Sequence, residues 1–148
     1  EESFRNFHPG GKLGSILEPI SKIMFSDGQL PLLDQSVPIF EVISEISNKS
    51  FGIVGLLGST GKLCGVITDG DIRRYLEKNA SGSMRDVMWS TFAKDIMSPA
   101  PITLKPESLA TRSLHTLQTH KISAAFVLQE DVPIGLVTVL QLLQRGVA

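Results

Sequence analysis

The densest run of chemically capable side chains is Gly65-Val66-Ile67-Thr68-Asp69-Gly70-Asp71-Ile72-Arg73-Arg74. An apolar, β-rich stretch ends on Thr68, and a helical pattern opens at Asp69. A hydroxyl and a carboxylate three residues apart across that junction can face one cleft. The carboxylate of Asp71 can accept from both hydroxyls of a ribose or another sugar. The Thr68 hydroxyl and the first helix amides suit a phosphate. Arg73 and Arg74 can meet an anion through paired N–H bonds. A plainer role uses the same residues: Asp69 and Asp71 cap the helix, and the arginines sit in solvent. The residues alone leave both readings open.

Other candidate chemistry is thinner. There is no Gly-x-Ser-x-Gly elbow, no His-Glu-x-x-His and no cysteine pair. His115 and His120 are five apart and share a helical face poorly. Gly10-Gly11-Lys12 lacks the spacing and the closing Ser or Thr of a phosphate loop. Cys64, the only cysteine, reads as a small core residue in the strand Leu63 to Ile67. No metal or cofactor is expected.

Composition narrows the class. The chain has 148 residues, 42% hydrophobic and 20% charged, with a formal net charge of -1. That supports a packed core and gives no basic excess for nucleic acid. Seven Phe, one Trp and one Tyr are too few rings for a single-strand stacking platform. No apolar run reaches the length of a membrane span. Glu1-Glu2-Ser3 does not open a signal peptide, and the missing initiator Met suggests a fragment of a longer protein or a processed chain. The lone cysteine fits a reducing compartment, and the cytoplasm is the expected location.

The elements that must position Thr68 and Asp71 occur twice. A short extended piece at 30–34 precedes a helix capped by Ser36, with Val37, Phe40, Ile43 and Ile46 as its apolar stripe. Strands follow at Gly52 to Leu57 and Leu63 to Thr68, then a helix from Asp69 to Glu77. The order returns as a strand at 102–104, a helix opened by Pro106-Glu107-Ser108, strands at 123–128 and 134–138, and a helix at 140–144. Ile23-Met24 matches Ile96-Met97, and Gly65-Val66-Ile67-Thr68 matches Gly135-Leu136-Val137-Thr138. The expected fold is α/β (α+β), two βαββα modules. Each half is too small to be comfortable alone, so the halves are expected to pack sheet against sheet about a pseudo-two-fold. The boundaries read as a linker at 1–19, modules at 20–78 and 93–148, and a linker at 79–92 with a helix in its second part. There Met84, Val87, Met88 and Trp89 either pack within the chain or add apolar area to a dimer.

The second copy keeps the hydroxyl at Thr138 but carries Gln141 where the first has Asp71. A neutral amide is a weaker and differently shaped partner for a diol. The two potential sites are therefore not equivalent.

The doubled pattern, Ile-Met openings with Gly-h-h-Thr-x-x-Asp closings over about residues 20–146, resembles a pair of CBS domains, a Bateman module. A narrower resemblance rests on Phe7-His8-Pro9-Gly10-Gly11-Lys12-Leu13-Gly14, Ile20-Ser21-Lys22-Ile23-Met24, Thr68-Asp69-Gly70-Asp71-Ile72-Arg73-Arg74, Ala93-Lys94-Asp95-Ile96-Met97 and Leu142-Leu143-Gln144-Arg145-Gly146-Val147. Together these are similar to the C-terminal part of the D-arabinose-5-phosphate isomerase family.

That resemblance implies an N-terminal sugar-isomerase (SIS) domain in a longer parent. The parent would interconvert ribulose 5-phosphate and arabinose 5-phosphate on the route to Kdo, a lipopolysaccharide sugar. It would place His8 near the isomerase active site, with no catalytic residue in the present chain by itself. It implies that Thr68 and Asp71 contact nucleotide phosphate and ribose, that Thr138 matches, and that backbone near Phe51 to Val54 and Ser123 meets a base. Arg73, Arg74 and Lys121 would offset remaining negative charge. The implied ligand is a nucleotide or nucleotide-sugar, CMP-Kdo as a distant feedback product or else AMP or ATP. The implied partners are the parent's SIS domain and a second copy in a homodimer, with a homotetrameric parent. Other readings are a structural module that joins subunits, and an adenine-nucleotide sensor of an unrelated protein.

Overall fold

The computed structural model describes residues 17–148, which divide into two compact units. One comprises residues 29–101. The other comprises residues 17–28 together with 102–148.

In the 29–101 unit, β1 (Leu32–Asp34) runs parallel to β2 (Ile53–Leu57), and β3 (Leu63–Thr68) returns antiparallel to β2. Leu32 pairs with Gly55, and Ile53 with Thr68. Two parallel strands need a crossover, which α1 (Ile39–Lys49) supplies. Ile39 and Val42 bury one face of α1 against Val54, Leu56, Ile67 and Ile72, with Ala93 completing the cluster. Ser50, at φ 64°, ends α1 in the left-handed conformation and donates its N–H to the Ile46 carbonyl. Beyond α2 (Asp69–Lys78) lie α3 (Met84–Ser90), the helix expected in the linker, and α4 (Ala93–Ile96).

Three local expectations are corrected here. Ser36 is not the cap of α1. Its N–H and hydroxyl both donate to Asp34 Oδ1, at 2.9 and 2.6 Å, and Pro38 takes the cap position without a side-chain bond. Phe40 does not join the core stripe. It is 43% exposed and stacks on Trp89, with ring centroids 4.6 Å apart. Cys64 lies in β3 as expected but is only partly buried.

The other unit repeats the plan. β4 (Thr103–Leu104) is parallel to β5 (Ala124–Gln129), and β6 (Val132–Thr138) is antiparallel to β5. Glu130 and Asp131 both have positive φ, 52° and 68°, as a two-residue hairpin of matching twist requires. Helix α5 (Ala110–Thr119) starts later than Pro106 suggests, because Leu109 is still extended and stands 45% exposed. Leu114 and Leu117 pack against Ala125, Val127, Val137 and, from α6 (Val139–Gln144), Leu142.

The first copy's opening segment belongs to this second core. Ile20 and Ile23 are buried in it, and Ile20–Lys22 form a single 3-10 turn. Phe25 and Leu136 exchange two backbone hydrogen bonds of 2.9 Å. In the 29–101 unit, Ser98 and Val66 do the same at 2.8 and 3.1 Å, just after the second copy's Ile96-Met97. The opening segments of the two sequence copies are thus exchanged between the compact units.

Candidate functional site

Thr68 is the last residue of β3 and the cap of α2. Its extended backbone, φ -101° and ψ 165°, turns the chain from strand to helix. Its Oγ1 accepts the Asp71 N–H at 3.1 Å, and its own N–H donates to Asp71 Oδ2 at 2.9 Å. This reciprocal box satisfies two backbone donors at the helix start. A third, the Asp69 N–H, donates to the Gly52 carbonyl at 3.1 Å. Gly52 has φ 72°, and a Cβ there would meet Asp69 Oδ2 at 3.5 Å.

The second carboxylate oxygen, Asp71 Oδ1, accepts from Arg74 Nη2 at 2.7 Å. The Arg74 side chain is 62% exposed and that of Asp71 22%. An exposed pair of this kind contributes about 0–1 kcal/mol, so Oδ1 is readily released to another donor. Both guanidinium groups lie beside Gly70: a Cβ built there would stand 3.4 Å from Arg74 Nη1 and 3.7 Å from Arg73 Nη2. Thr68, Asp71, Arg73 and Arg74 are therefore gathered around the first turn of α2. Two cations and the positive end of a helix stand next to a hydrogen-bond-accepting carboxylate. That set can take an anion and a diol side by side.

The other unit has the same wiring with one change. Thr138 Oγ1 accepts the Gln141 N–H at 3.0 Å, and the Thr138 N–H donates to Gln141 Oε1 at 3.4 Å. The Val139 N–H donates to the Ser123 carbonyl at 2.9 Å, the counterpart of the Asp69 bond. The Gln141 side-chain amide donates to the Ile23 carbonyl. Lys121 is exposed, at φ 55°, and Ser123 is exposed just before β5. Sequence reasoning did not find the Gln141 bond, since Ile23 is distant in the chain. Nor did it single out Gly70, beside which both guanidinium groups lie.

His8 lies outside the described residues. His115 and His120 are exposed on α5 and at its end, bonded locally to Thr119 and to the Thr116 carbonyl. Among the described residues no cluster of three or more His, Cys, Asp or Glu could hold a metal ion. No described helix is long and apolar enough to cross a membrane.

The CBS domain pattern matches residues 20–78 and 93–147. The chain belongs to the CBS domain family. It is 30% identical over 147 residues to arabinose 5-phosphate isomerase KdsD of Salmonella typhi, covering 99% of this chain and 43% of that protein. It thus spans less than half the length of that relative. Two CBS structures share the fold. CBSX2 in complex with AMP superposes with a TM-score of 0.74 at 15% identity, over 87% of this chain and 96% of that one. The CBS domain of a bacterial CNNM/CorC family Mg2+ transporter in complex with ATP gives 0.74 at 16% identity, over 93% of each. Both halves of the CBS pair close on the Thr-capped helix described above.

Proposed function

We propose that this CBS pair is a nucleotide-sensing regulatory module of a longer, cytoplasmic sugar-phosphate isomerase. The observation that carries the proposal is the cluster at the start of α2. Arg73 and Arg74 flank Gly70 while Asp71 presents an oxygen held only by an exposed guanidinium. A phosphate would draw the arginines, and a ribose diol would take the place of Arg74 on Asp71. The AMP and ATP complexes of the two CBS neighbours support a nucleotide as the ligand class. The similarity to KdsD supports the parent activity, interconversion of ribulose 5-phosphate and arabinose 5-phosphate toward Kdo. Under that activity CMP-Kdo is the alternative ligand, since feedback on an early step calls for a distant product carrying ribose and phosphate. The expected contacts at Lys121, Ser123 and Thr138 are not carried into this reading.

Calorimetry of AMP, ATP, CMP and CMP-Kdo against the chain tests it. One of the four should bind, and Asp71→Ala should weaken that binding about tenfold or more, from the loss of about 1.5–3 kcal/mol in hydrogen bonds to a charged group. Absence of binding by all four would sink the sensing reading.

A second reading has its own support. Leu140 is 65% exposed, Leu143 49%, Met84 57% and Trp89 52%. Apolar side chains left in solvent favour a role in joining subunits. Under that reading the chain is a homodimer, and a purely monomeric 16.1 kDa species in sedimentation at high concentration would remove it.

A further inference from the structure

Residues 17–28 run directly into the 29–101 unit, yet they are seated on residues 102–148. The seat is made by backbone and core together. The Ile20 and Ser21 N–H groups donate to the Ser108 and Pro106 carbonyls at 2.8 and 3.1 Å, and the Ala110 N–H donates to the Glu18 carbonyl at 3.2 Å. Phe25 and Leu136 exchange two bonds, and the Gln141 amide donates to the Ile23 carbonyl. Ile20 and Ile23 are buried in the core with Leu114, Leu117 and Val137. All these partners lie in one continuous stretch, 102–148, which a second copy of the chain carries in identical form.

The segment leaves its seat through a short polar turn. Asp27–Gln29 form one 3-10 turn with no buried residue, and Asp27 is held at φ 54°. That left-handed conformation is strained for a residue with a Cβ, although Asp tolerates it better than most. Gly28 borders open space: a Cβ built there has no neighbour within 4 Å. An extended hinge would return Asp27 to negative φ, and Gly28 has room to follow. A short strained hinge beside a complete docking segment permits a swap between copies. The closed and swapped forms make the same contacts and differ mainly at the hinge and in the entropy of association.

We propose that residues 17–28 are a strap that a second copy of this chain receives: at high concentration the strap of each chain takes the seat on residues 102–148 of the other, and the two chains interlock. This link is independent of nucleotide binding and of the exposed leucines and aromatics. It needs no new apolar surface, since its contacts are those of the single chain.

Pro19 and Leu109 oppose each other across the seat as an antiparallel pair. The Ile20–Ser108 and Ala110–Glu18 bonds flank them, so they form a non-hydrogen-bonded pair with Cα atoms about 4.5 Å apart, within disulfide reach. Two full chains, one Pro19→Cys and one Leu109→Cys, each with Cys64→Ser, are unfolded together in urea, refolded at high concentration and oxidised. Peptide mapping should find a disulfide between position 19 of one chain and position 109 of the other. Its yield should fall about tenfold or more when refolding follows about a hundredfold dilution, by mass action. Asp27→Gly accepts the left-handed turn without strain and should lower the yield about fivefold. A single chain carrying both cysteines should link within itself in dilute solution. Absence of the link between chains at high concentration, or links between two copies of position 19 forming as readily, would overturn the swap. An unchanged yield with Asp27→Gly would overturn the hinge as its source. Failure of the double-cysteine chain to link within itself would overturn the seat.

Discussion

Met97 covers the bare Cα of Gly65: a Cβ built on Gly65 would stand 2.8 Å from both Cγ and Sδ of Met97 and 2.6 Å from the Ser98 carbonyl oxygen. Met24 covers Gly135 in the same way, but there the three nearest obstacles are all atoms of the methionine side chain. Backbone yields less than a flexible thioether. Gly65→Ala should therefore cost about 1–3 kcal/mol, and Gly135→Ala less. Met24→Ala should recover most of the Gly135→Ala loss, while Met97→Ala should recover little of the Gly65→Ala loss. Urea unfolding of the four single and two double variants checks this. Equal recovery in both pairs would contradict it.

The two Thr-capped helices should respond alike to loss of the hydroxyl. Thr68→Ala and Thr138→Ala each remove the acceptor for a first-turn N–H. Each should lower stability by about 1 kcal/mol. Arg74→Ala breaks only an exposed pair and should stay within about 1 kcal/mol. Equilibrium denaturation is the measurement, and a larger loss for Arg74→Ala than for Thr68→Ala would reverse the assignment.

Ser113 is fully buried on α5, and its hydroxyl has no hydrogen-bond partner among the described residues. A stranded hydroxyl in an apolar core costs free energy, and alanine is also the better helix former. Ser113→Ala should stabilise the chain by about 1 kcal/mol, raising Tm by about 2–4 °C. A fall in Tm would show that the hydroxyl is satisfied in solution.

The Asp34 carboxyl is held below its ordinary 3.8, first by the Ser36 hydroxyl and then by the Ser36 N–H. A depressed carboxylate stabilises the fold above its unfolded pKa, and the contribution is lost as pH falls through the folded value. The loss therefore belongs below pH 3.8. An NMR titration should place the Asp34 midpoint under that value, and Ser36→Ala should move it upward. An unmoved midpoint would separate the two residues.

Much of this was legible in local sequence. The doubled strand–helix–strand–strand–helix order follows from short-range periodicity and turn residues. The Thr68–Asp71 spacing announces a capped helix start, whatever else it does. Phe40 was misread because one residue of drift turns a helical side chain by about 100°, and Pro38 starts α1 at Ile39 rather than at Val37. Ser36 carries the right chemistry for a cap, but Asp34, two residues away, claims it first. The Gln141–Ile23 bond and the exchange of opening segments join residues more than a hundred apart or cross the repeat itself. No local pattern encodes such pairs, because they depend on which sheet edge each segment finds.

That exchange sets an order of events during synthesis. Residues 29–101 form a continuous stretch and have all their partners as soon as that stretch is available. Residues 17–28 are made earlier but must wait for 102–148, which follow that stretch in the chain. Chains fold from the N-terminus as they emerge, and closing a long loop delays the contacts at its ends. Residues 17–28, although made before either core, therefore dock after the 29–101 core has formed. A chain cut after residue 101 would keep one finished core and leave an Ile20–Met24 strip without its seat.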